Sequence, residues 1–158
     1  AFRPEIGDEV VIACLGGDPR HAVILGSLHG SAHPAPIAPD GNNPVKGYVS
    51  RRGMKLTFDD ADGTLRLETA AGRALALSDD AATLRIEDPH GNRIVMDAGG
   101  IAIESAGSLS LKAGGDLRLQ GVGVKMEAGA MLDLSGDAGA KLSTDAGLTL
   151  RGSLVMIN

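Results

Sequence analysis

The sequence has almost no aromatic side chains. Phenylalanine occurs twice, tyrosine once and tryptophan not at all, so aromatic residues make up 2% of the 158 residues. A chain of this length normally folds as one domain around a core of large side chains. With 23 glycines and so few rings, a self-sufficient monomeric core is not expected. Any core must be built from leucine, isoleucine, valine, methionine and alanine.

Other absences exclude whole classes of function. The single cysteine, Cys14, excludes an intrachain disulfide, and its alternation with apolar residues is typical of a core position. The net charge of −5 and a pI near 5.3, with no basic cluster larger than Arg51–Arg52, argue against nucleic acid as a partner. No apolar run approaches the roughly 18 residues of a membrane span, and no signal peptide is visible.

The candidate metal motifs are incomplete. Residues 60–63 (DADG) look like part of a calcium loop, but Phe58 and Thr69 stand where such a loop needs acidic ligands. His29 and His33 are four residues apart, but Gly30 and Pro34 prevent a helix that would present both to one metal. We therefore predict no metal site.

The motifs of common enzymes are also missing. The aspartate pairs 59–60 and 79–80 fall in predicted turns, whereas paired carboxylates for acid–base catalysis need a cleft. Gly121 and Gly123 lack the third glycine of a dinucleotide-binding loop, and no Gly-x-Ser-x-Gly sequence is present. We predict that the protein is not an enzyme and binds no cofactor.

Residues 99–158 repeat every eight residues, with one step of seven between Leu117 and Val124. Each unit opens with two apolar residues two positions apart, the pattern of a strand with one buried face. Glycine, alanine, serine and aspartate fill the rest of each unit, as in a tight corner. A repeated strand and corner predicts a β-solenoid. The apolar pairs are Ile101/Ile103, Leu109/Leu111, Leu117/Leu119, Val124/Met126, Leu132/Leu134, Ala140/Leu142 and Leu148/Leu150.

An eight-residue unit is too short to enclose a core by itself, because it supplies one face per turn. A monomeric solenoid is the alternative, but it normally needs about 20 residues per turn. Identical copies of the chain are the simplest source of the other faces. The octads therefore predict an intertwined homotrimeric, triple-stranded β-helix with the apolar pairs on the threefold axis. Its backbone hydrogen bonds are expected to run between chains.

The chain upstream of the octads falls into further parts. Glu9–Leu15 and His21–Leu28 read as two strands joined by a turn, apolar on both faces as in a small barrel. Residues 30–44 are rich in proline and lack periodicity. From residue 54 apolar pairs recur at steps of nine to ten residues: Leu56/Phe58, Leu65/Leu67, Leu75/Leu77, Leu84/Ile86 and Ile94/Met96.

These patterns predict an all-β protein in three parts. Residues 1–38 form the C-terminal part of an OB-fold-like β-barrel domain, and residues 39–53 are a linker leading into a shaft. Residues 54–158 form the trimeric β-helix shaft, which tightens to the octad repeat from residue 99. The sequence has no initiating methionine and enters a strand pattern almost at once, so we expect it to be a fragment of a longer protein.

The quoted segments resemble VgrG-type central spike proteins of contractile injection systems. The run FRPEIGDEVVIACLGGDPRHAVILGSLH is similar to the end of their OB fold, with Ala22 where the family usually has proline. NNPVKGYVSRRGMKLTFDD is similar to the segment leading into their spike, and the octads and the closing GSLVMIN to its shaft. The resemblance covers essentially the whole chain.

The resemblance implies a non-enzymatic, membrane-piercing spike at the tip of the tube of a type VI secretion system, an extracellular injection particle or a phage tail. It implies a homotrimer with a conical PAAR-type protein at its C-terminal end and tube, hub or baseplate proteins on its N-terminal side. Contact with a target membrane would be transient. Such a particle assembles in the bacterial cytoplasm and is then secreted or delivered through the target envelope.

An alternative is a trimeric phage tail fibre or spike that binds or cleaves surface carbohydrate. That function would require exposed aromatic rings for sugar stacking and clustered carboxylates on the shaft. Tyr48 is the only tyrosine, so the structural spike is favoured.

The last residues break the octad pattern. Apolar residues occur in succession, so both faces of the final strand are apolar, and only one face can fill a prism. An exposed apolar patch at the end of a trimer is typical of a binding surface. We predict a tip-binding site formed by Leu154, Val155, Met156, Ile157 and Asn158.

Overall fold

The computed structural model describes residues 3–31 and 33–157. It divides into two compact units, the first ending at Ser110 and the second beginning at Leu111. Every strand in these ranges belongs to the first unit, and the helical segments there are two 3₁₀ turns of three residues each. None of the described helices is long and apolar enough to cross a membrane. The predicted all-β class is confirmed.

The first sheet is a hairpin. Strand β1 (Val10–Cys14) pairs antiparallel with β2 (Ala22–Ser27), as the alternating pattern predicts. The 3₁₀ turns Leu15–Gly17 and Pro19–His21 connect them. The Arg20 amide and guanidinium donate to the Asp18 carboxylate between the turns, which lowers the pKa of that carboxyl.

The hairpin is not covered by other elements. The apolar pattern predicts burial on both faces, but every residue of β2 is exposed, and in β1 only Val10, Ala13 and Cys14 are partly covered. Two strands present two faces and have no second layer in the described residues to cover either one.

The second sheet is a seven-stranded antiparallel meander in which consecutive strands are neighbours. Each of its strands has five residues: β3 (Val45–Val49), β4 (Lys55–Asp59), β5 (Thr64–Glu68), β6 (Ala74–Ser78), β7 (Thr83–Glu87), β8 (Arg93–Asp97) and β9 (Gly100–Glu104). The apolar pairs predicted from Leu56 to Ile103 all lie in these strands.

The register of the meander places the apolar pairs on one face, because side chains alternate along a strand. Directly paired residues form two apolar rows across the sheet. The first row is Tyr48, Leu56, Leu67, Leu75, Ile86, Ile94 and Ile103. The second row is Phe58, Leu65, Leu77, Leu84, Met96 and Ile101, with Lys46 opposite Phe58 on β3.

The opposite face of the meander is polar and carries ion pairs. Arg66 contacts Glu68 at 3.1 Å and Glu87 at 3.6 Å, so it bridges β5 and β7. Arg93 on β8 contacts Glu104 on β9 at 2.8 Å. The pairs Arg66–Glu87 and Arg93–Glu104 connect different strands across the polar face. Because this face carries the charged side chains, it is the face that contacts water.

The turns repeat with a period of 19 residues, because two turn types alternate. Residues 50–54, 69–73 and 88–92 form one type, in which the fourth position is a glycine with positive φ (Gly53, Gly72 and Gly91). Residues 60–63 and 79–82 form the other type, on the opposite side of the sheet. The alternation explains why the apolar pairs are separated by steps of nine and ten.

The expectation that backbone hydrogen bonds run between chains is wrong for residues 45–104, where every strand pairs with its neighbour in the same chain. The reason lies in the turns, since reversing the chain takes residues with positive φ such as Gly63 and Gly91. Among the described octad residues after 104, only Gly139 has a positive φ.

The octad segment from Ser105 to Ile157 has a different structure. It contains short bends at its corners but no strand, and all of its described residues except Ser105 are exposed. No main-chain to main-chain hydrogen bond joins any two of these residues. The octads therefore do not complete a β-structure within one chain.

Gly47 allows β3 to approach β4. A methyl group at this position would lie 2.4 Å from the backbone oxygen of Leu56 and 2.9 Å from Cδ1 of Ile37. We expect Gly47→Ala to lower the free energy of unfolding by about 2 kcal/mol, measured by urea denaturation. Gly26→Ala in β2 is the control, because nothing lies within 4 Å of the added methyl. Equal effects of the two substitutions would contradict this packing.

Ala82 has a φ of +47°, at the position where the preceding turn of the same type has Gly63 with a φ of +54°. A residue with a Cβ costs about 1 kcal/mol in this region. We expect Ala82→Gly to stabilise the protein by up to about 1 kcal/mol in urea denaturation. Ala81→Gly, in the same turn but with an ordinary φ, should be slightly destabilising because glycine is more flexible when unfolded. A loss of stability in both variants would refute this interpretation.

Candidate interaction surfaces

In the described part of the chain, no element packs against the apolar face of the meander. Ala74, 7% exposed, is the one buried hydrophobic residue among those described. The solvent-accessible surface is 13947 Å², whereas a compact monomer of 16.1 kDa would expose about 7,400 Å². Since a sheet with an apolar face has to cover it with another layer, this face is a candidate interface with other chains.

The first apolar row lines an open groove of about 750 Å³. Its floor is formed by Leu67, Leu75, Ile86, Ile94 and Ile103. Charged side chains, among them Arg73, Glu87 and Arg93, line the groove beside this floor. The apolar row itself offers dispersion contacts that match the apolar face of a second sheet of the same kind.

The octad segment has no main-chain to main-chain hydrogen bonds among its described residues, and its apolar side chains are not covered. Its apolar residues, such as Leu117 and Leu132, are exposed. Backbone N–H and C=O groups beside apolar residues become buried when those residues pack, and buried groups of this kind are nearly always hydrogen-bonded. The segment therefore needs strands from other chains both for its hydrogen bonds and for its core.

The predicted tip residues lie together at the end of the second unit. Leu154, Val155, Met156 and Ile157 are 75%, 52%, 79% and 87% exposed, and none lies in a strand. Asn158, the fifth predicted residue, lies outside the described residues. The binding role of this segment stays a prediction.

Asp59 and Asp60 stabilise the turn between β4 and β5. Asp59 accepts hydrogen bonds from the amides of Ala61 and Asp62, and Asp60 pairs with Lys46. Within residues 3–31 and 33–157, no three His, Cys, Asp or Glu side chains are grouped so that they could hold a metal ion.

The two aromatic rings in the described part of the chain lie on the apolar sheet face. Tyr48 opposes Leu56 across β3 and β4, and Phe58 opposes Leu65 across β4 and β5. Neither ring lies on the polar face, where a carbohydrate fibre would present rings to a sugar.

The turn at residues 88–92 is linked to the segment that follows β9. The side-chain amide of Asn92 donates to the Asp88 carboxylate at 2.8 Å, which is the main reason that the pKa of Asp88 is lowered. Oδ1 of Asn92 accepts from the hydroxyl of Ser105 at 3.0 Å and from the amide of Ala106 at 3.1 Å. Asn92 thus fixes the direction in which the chain leaves the meander.

Sequence reasoning missed the ion pairs of the polar face. The signal was present in the near-identical segments TLRLE (64–68) and TLRIE (83–87), which lie 19 residues apart. This repeat places Arg66 and Arg85 on the same face with Ala76 between them.

The comparisons with known proteins first define the class. Residues 1–29 match the type VI secretion system/phage-baseplate injector OB domain, and residues 64–158 match the phage baseplate V C-terminal trimerisation domain. These are structural domains of spike-type components of phage baseplates and type VI secretion systems. Since the second match covers well over half of the chain, the protein belongs to the phage baseplate V C-terminal trimerisation domain family.

The matches confirm the resemblance to VgrG-type spike proteins and support a homotrimer. No curated protein sequence matches the chain. The trimerisation domain agrees with a meander face and an octad segment that both lack partners in one chain.

The assignment of faces leads to a prediction for Leu75, in the centre of the apolar face. Leu75→Asp should prevent trimer formation, because threefold symmetry would bring three carboxylates into an apolar interior. Light scattering of the purified protein measures the change. Ala76→Asp is the matched control, since its neighbours across the strands on the polar face are Arg66 and Arg85. The assignment would be wrong if Ala76→Asp disrupted the trimer and Leu75→Asp did not.

Proposed function

We propose that this chain forms the shaft of a membrane-piercing central spike in a contractile injection machine. The observation that carries the proposal is the octad segment, whose described residues form neither main-chain to main-chain hydrogen bonds nor a core with one another. In a trimer, three such segments would wind around one axis as a triple-stranded β-helix. Each chain would then supply the hydrogen bonds that the others lack.

This architecture suits a part that transmits force. In a closed prism the sheet edges along the length are paired, so few free edges remain for aggregation. No chain of the intertwined segment could leave without breaking the pairing of the other two.

The exposed apolar residues at the end of the shaft support a partner at the tip. In the trimer one face of Leu154–Ile157 would fill the prism, and the other would remain at the blunt end. Threefold repetition turns a small apolar segment into a continuous patch, which is typical of a binding surface. We assign this patch to a conical PAAR-type protein seated on the C-termini.

The remaining partners lie at the other end of the shaft. The match of residues 1–29 to an injector OB domain favours tube, hub or baseplate proteins there. The proposed role is mechanical and non-enzymatic. We propose assembly in the bacterial cytoplasm, followed by delivery out of the cell and transient contact with the target membrane.

Deletion of residues 154–158 tests the tip. The truncated protein should remain a trimer by light scattering but bind a PAAR-type protein at least about tenfold more weakly in a pull-down titration, because the apolar patch is lost. Met156→Asp should give the same result in the full-length chain.

Thr149→Asp is the control, because it lies between the inward pair Leu148/Leu150 and faces outward. It should leave both the trimer and binding unchanged. Undiminished binding by the truncated trimer would exclude this segment as the docking site. A wild-type monomer would exclude the spike function itself.

A further inference from the structure

The two sides of the meander where the chain turns carry charges of opposite sign. The acidic turn stack consists of residues 60–63 and 79–82, and the basic turn stack consists of residues 50–54, 69–73 and 88–92. Asp62, Asp79 and Asp80 lie in the first stack, and Arg51, Arg52 and Arg73 lie in the second. Asp88 also lies in the basic stack, but it is occupied by hydrogen bonds from His90 and Asn92 within its own turn.

The turns within each stack are close to one another. A methyl group at Gly53 would lie 3.4 Å from Cβ of Ala70, and one at Gly72 would lie 3.9 Å from Cβ of Pro89. On the acidic side the Asp79 amide donates to the Gly63 carbonyl at 3.0 Å. Like charges are therefore concentrated along each side of the sheet, where they repel one another unless an opposite charge is near.

These charges differ from the charges on the polar face in having no partners. Arg66, Arg85 and Arg93 all form ion pairs within the chain. The six turn residues named above form no ion pair with any described residue of the chain. The arginines and glutamates of these strands are therefore paired with one another, whereas the six turn charges are unpaired and differ in sign between the two sides of the sheet.

We infer that the acidic turn stack of one chain packs against the basic turn stack of a second copy of this chain. The inference rests on the proposed spike function, since it concerns the trimer that forms the shaft. In a cyclic trimer each interface joins two different surfaces of the chain, head to tail. Three sheets that enclose their apolar faces as a triangular prism place the acidic side of each next to the basic side of the following one.

The order of the turns also fits this contact. Along the meander the turns alternate between the two sides, so each acidic turn lies one strand, about 4.8 Å, from the basic turns before and after it. Threefold symmetry keeps all chains at the same height. The turn with Asp79 and Asp80 therefore inserts between the neighbouring chain's turns at 69–73 and 88–92. Arg73 lies in the first of these two turns.

The charge pairing determines direction as well as affinity. Two acidic sides, or two basic sides, repel each other, so a sheet packed in the reversed order around the axis is disfavoured. The apolar faces provide the affinity, and the turn stacks select the cyclic arrangement.

Charge exchange tests the inference. One variant carries Arg51→Glu, Arg52→Glu and Arg73→Glu, and a second carries Asp62→Lys, Asp79→Lys and Asp80→Lys. Each should dissociate at least about tenfold faster than the wild type, because like charges then face each other at three interfaces. The chain with all six changes should recover to within about threefold of the wild type. Dissociation is followed by light scattering after dilution into urea.

Two further measurements keep the test independent of folding defects. The wild-type trimer should dissociate faster in 1 M than in 10 mM sodium chloride, because salt screens the pairs, and the three-site variants should respond in the opposite direction. Asp133→Lys, Asp137→Lys and Asp145→Lys, which change net charge as the second variant does but lie in the second unit, outside both stacks, should have little effect.

The outcomes separate this inference from the spike function. A wild-type trimer whose six-site variant is no more stable than the three-site variants, or whose dissociation does not depend on salt, would overturn the pairing of the stacks and leave the spike function intact. A wild-type monomer would overturn both.

Discussion

The structure depends on one constraint, namely that five-residue strands with one apolar face cannot form a core alone. Each strand from β4 to β9 contributes two apolar side chains to the same face, and no second layer of the described chain covers them. Burial of that face is the largest favourable term available to the protein. Nothing in the described residues covers the face, so its burial is coupled to assembly of the trimer.

The two segments of the shaft meet this constraint in different ways. The meander completes its main-chain hydrogen bonds within one chain and lacks only a cover for its apolar face. The octad segment lacks both. This difference implies an order of assembly, in which three preformed sheets bring the chains together and the octads then pair from Ser105 towards the tip. Asn92, which holds Ser105 and Ala106, lies where that pairing would begin.

The sequence was sufficient to predict the all-β class and the apolar pairs. The alternation of apolar and polar residues is a local property of each strand, so it can be recognised without knowing which strands are its neighbours. It did not reveal that residues 45–104 pair within one chain. That result depends on positive φ angles at positions such as Gly63 and Ala82, and an alanine gives no such signal. The partnerless charges of the two turn stacks could not be recognised either, since their position on opposite sides follows from the register of the whole sheet.

The 19-residue repeat makes the meander modular in length. One repeat contains two strands and both kinds of turn, so residues 74–92 begin and end in the same phase as residues 55–73. Removing or adding one repeat would change the sheet by two strands, about 10 Å along the stack, and every remaining side chain would keep its face and every turn its side. Adding or removing an odd number of strands would instead reverse the direction in which the chain leaves the sheet. The meander could therefore be lengthened or shortened by whole repeats without moving any of its apolar side chains to the polar face.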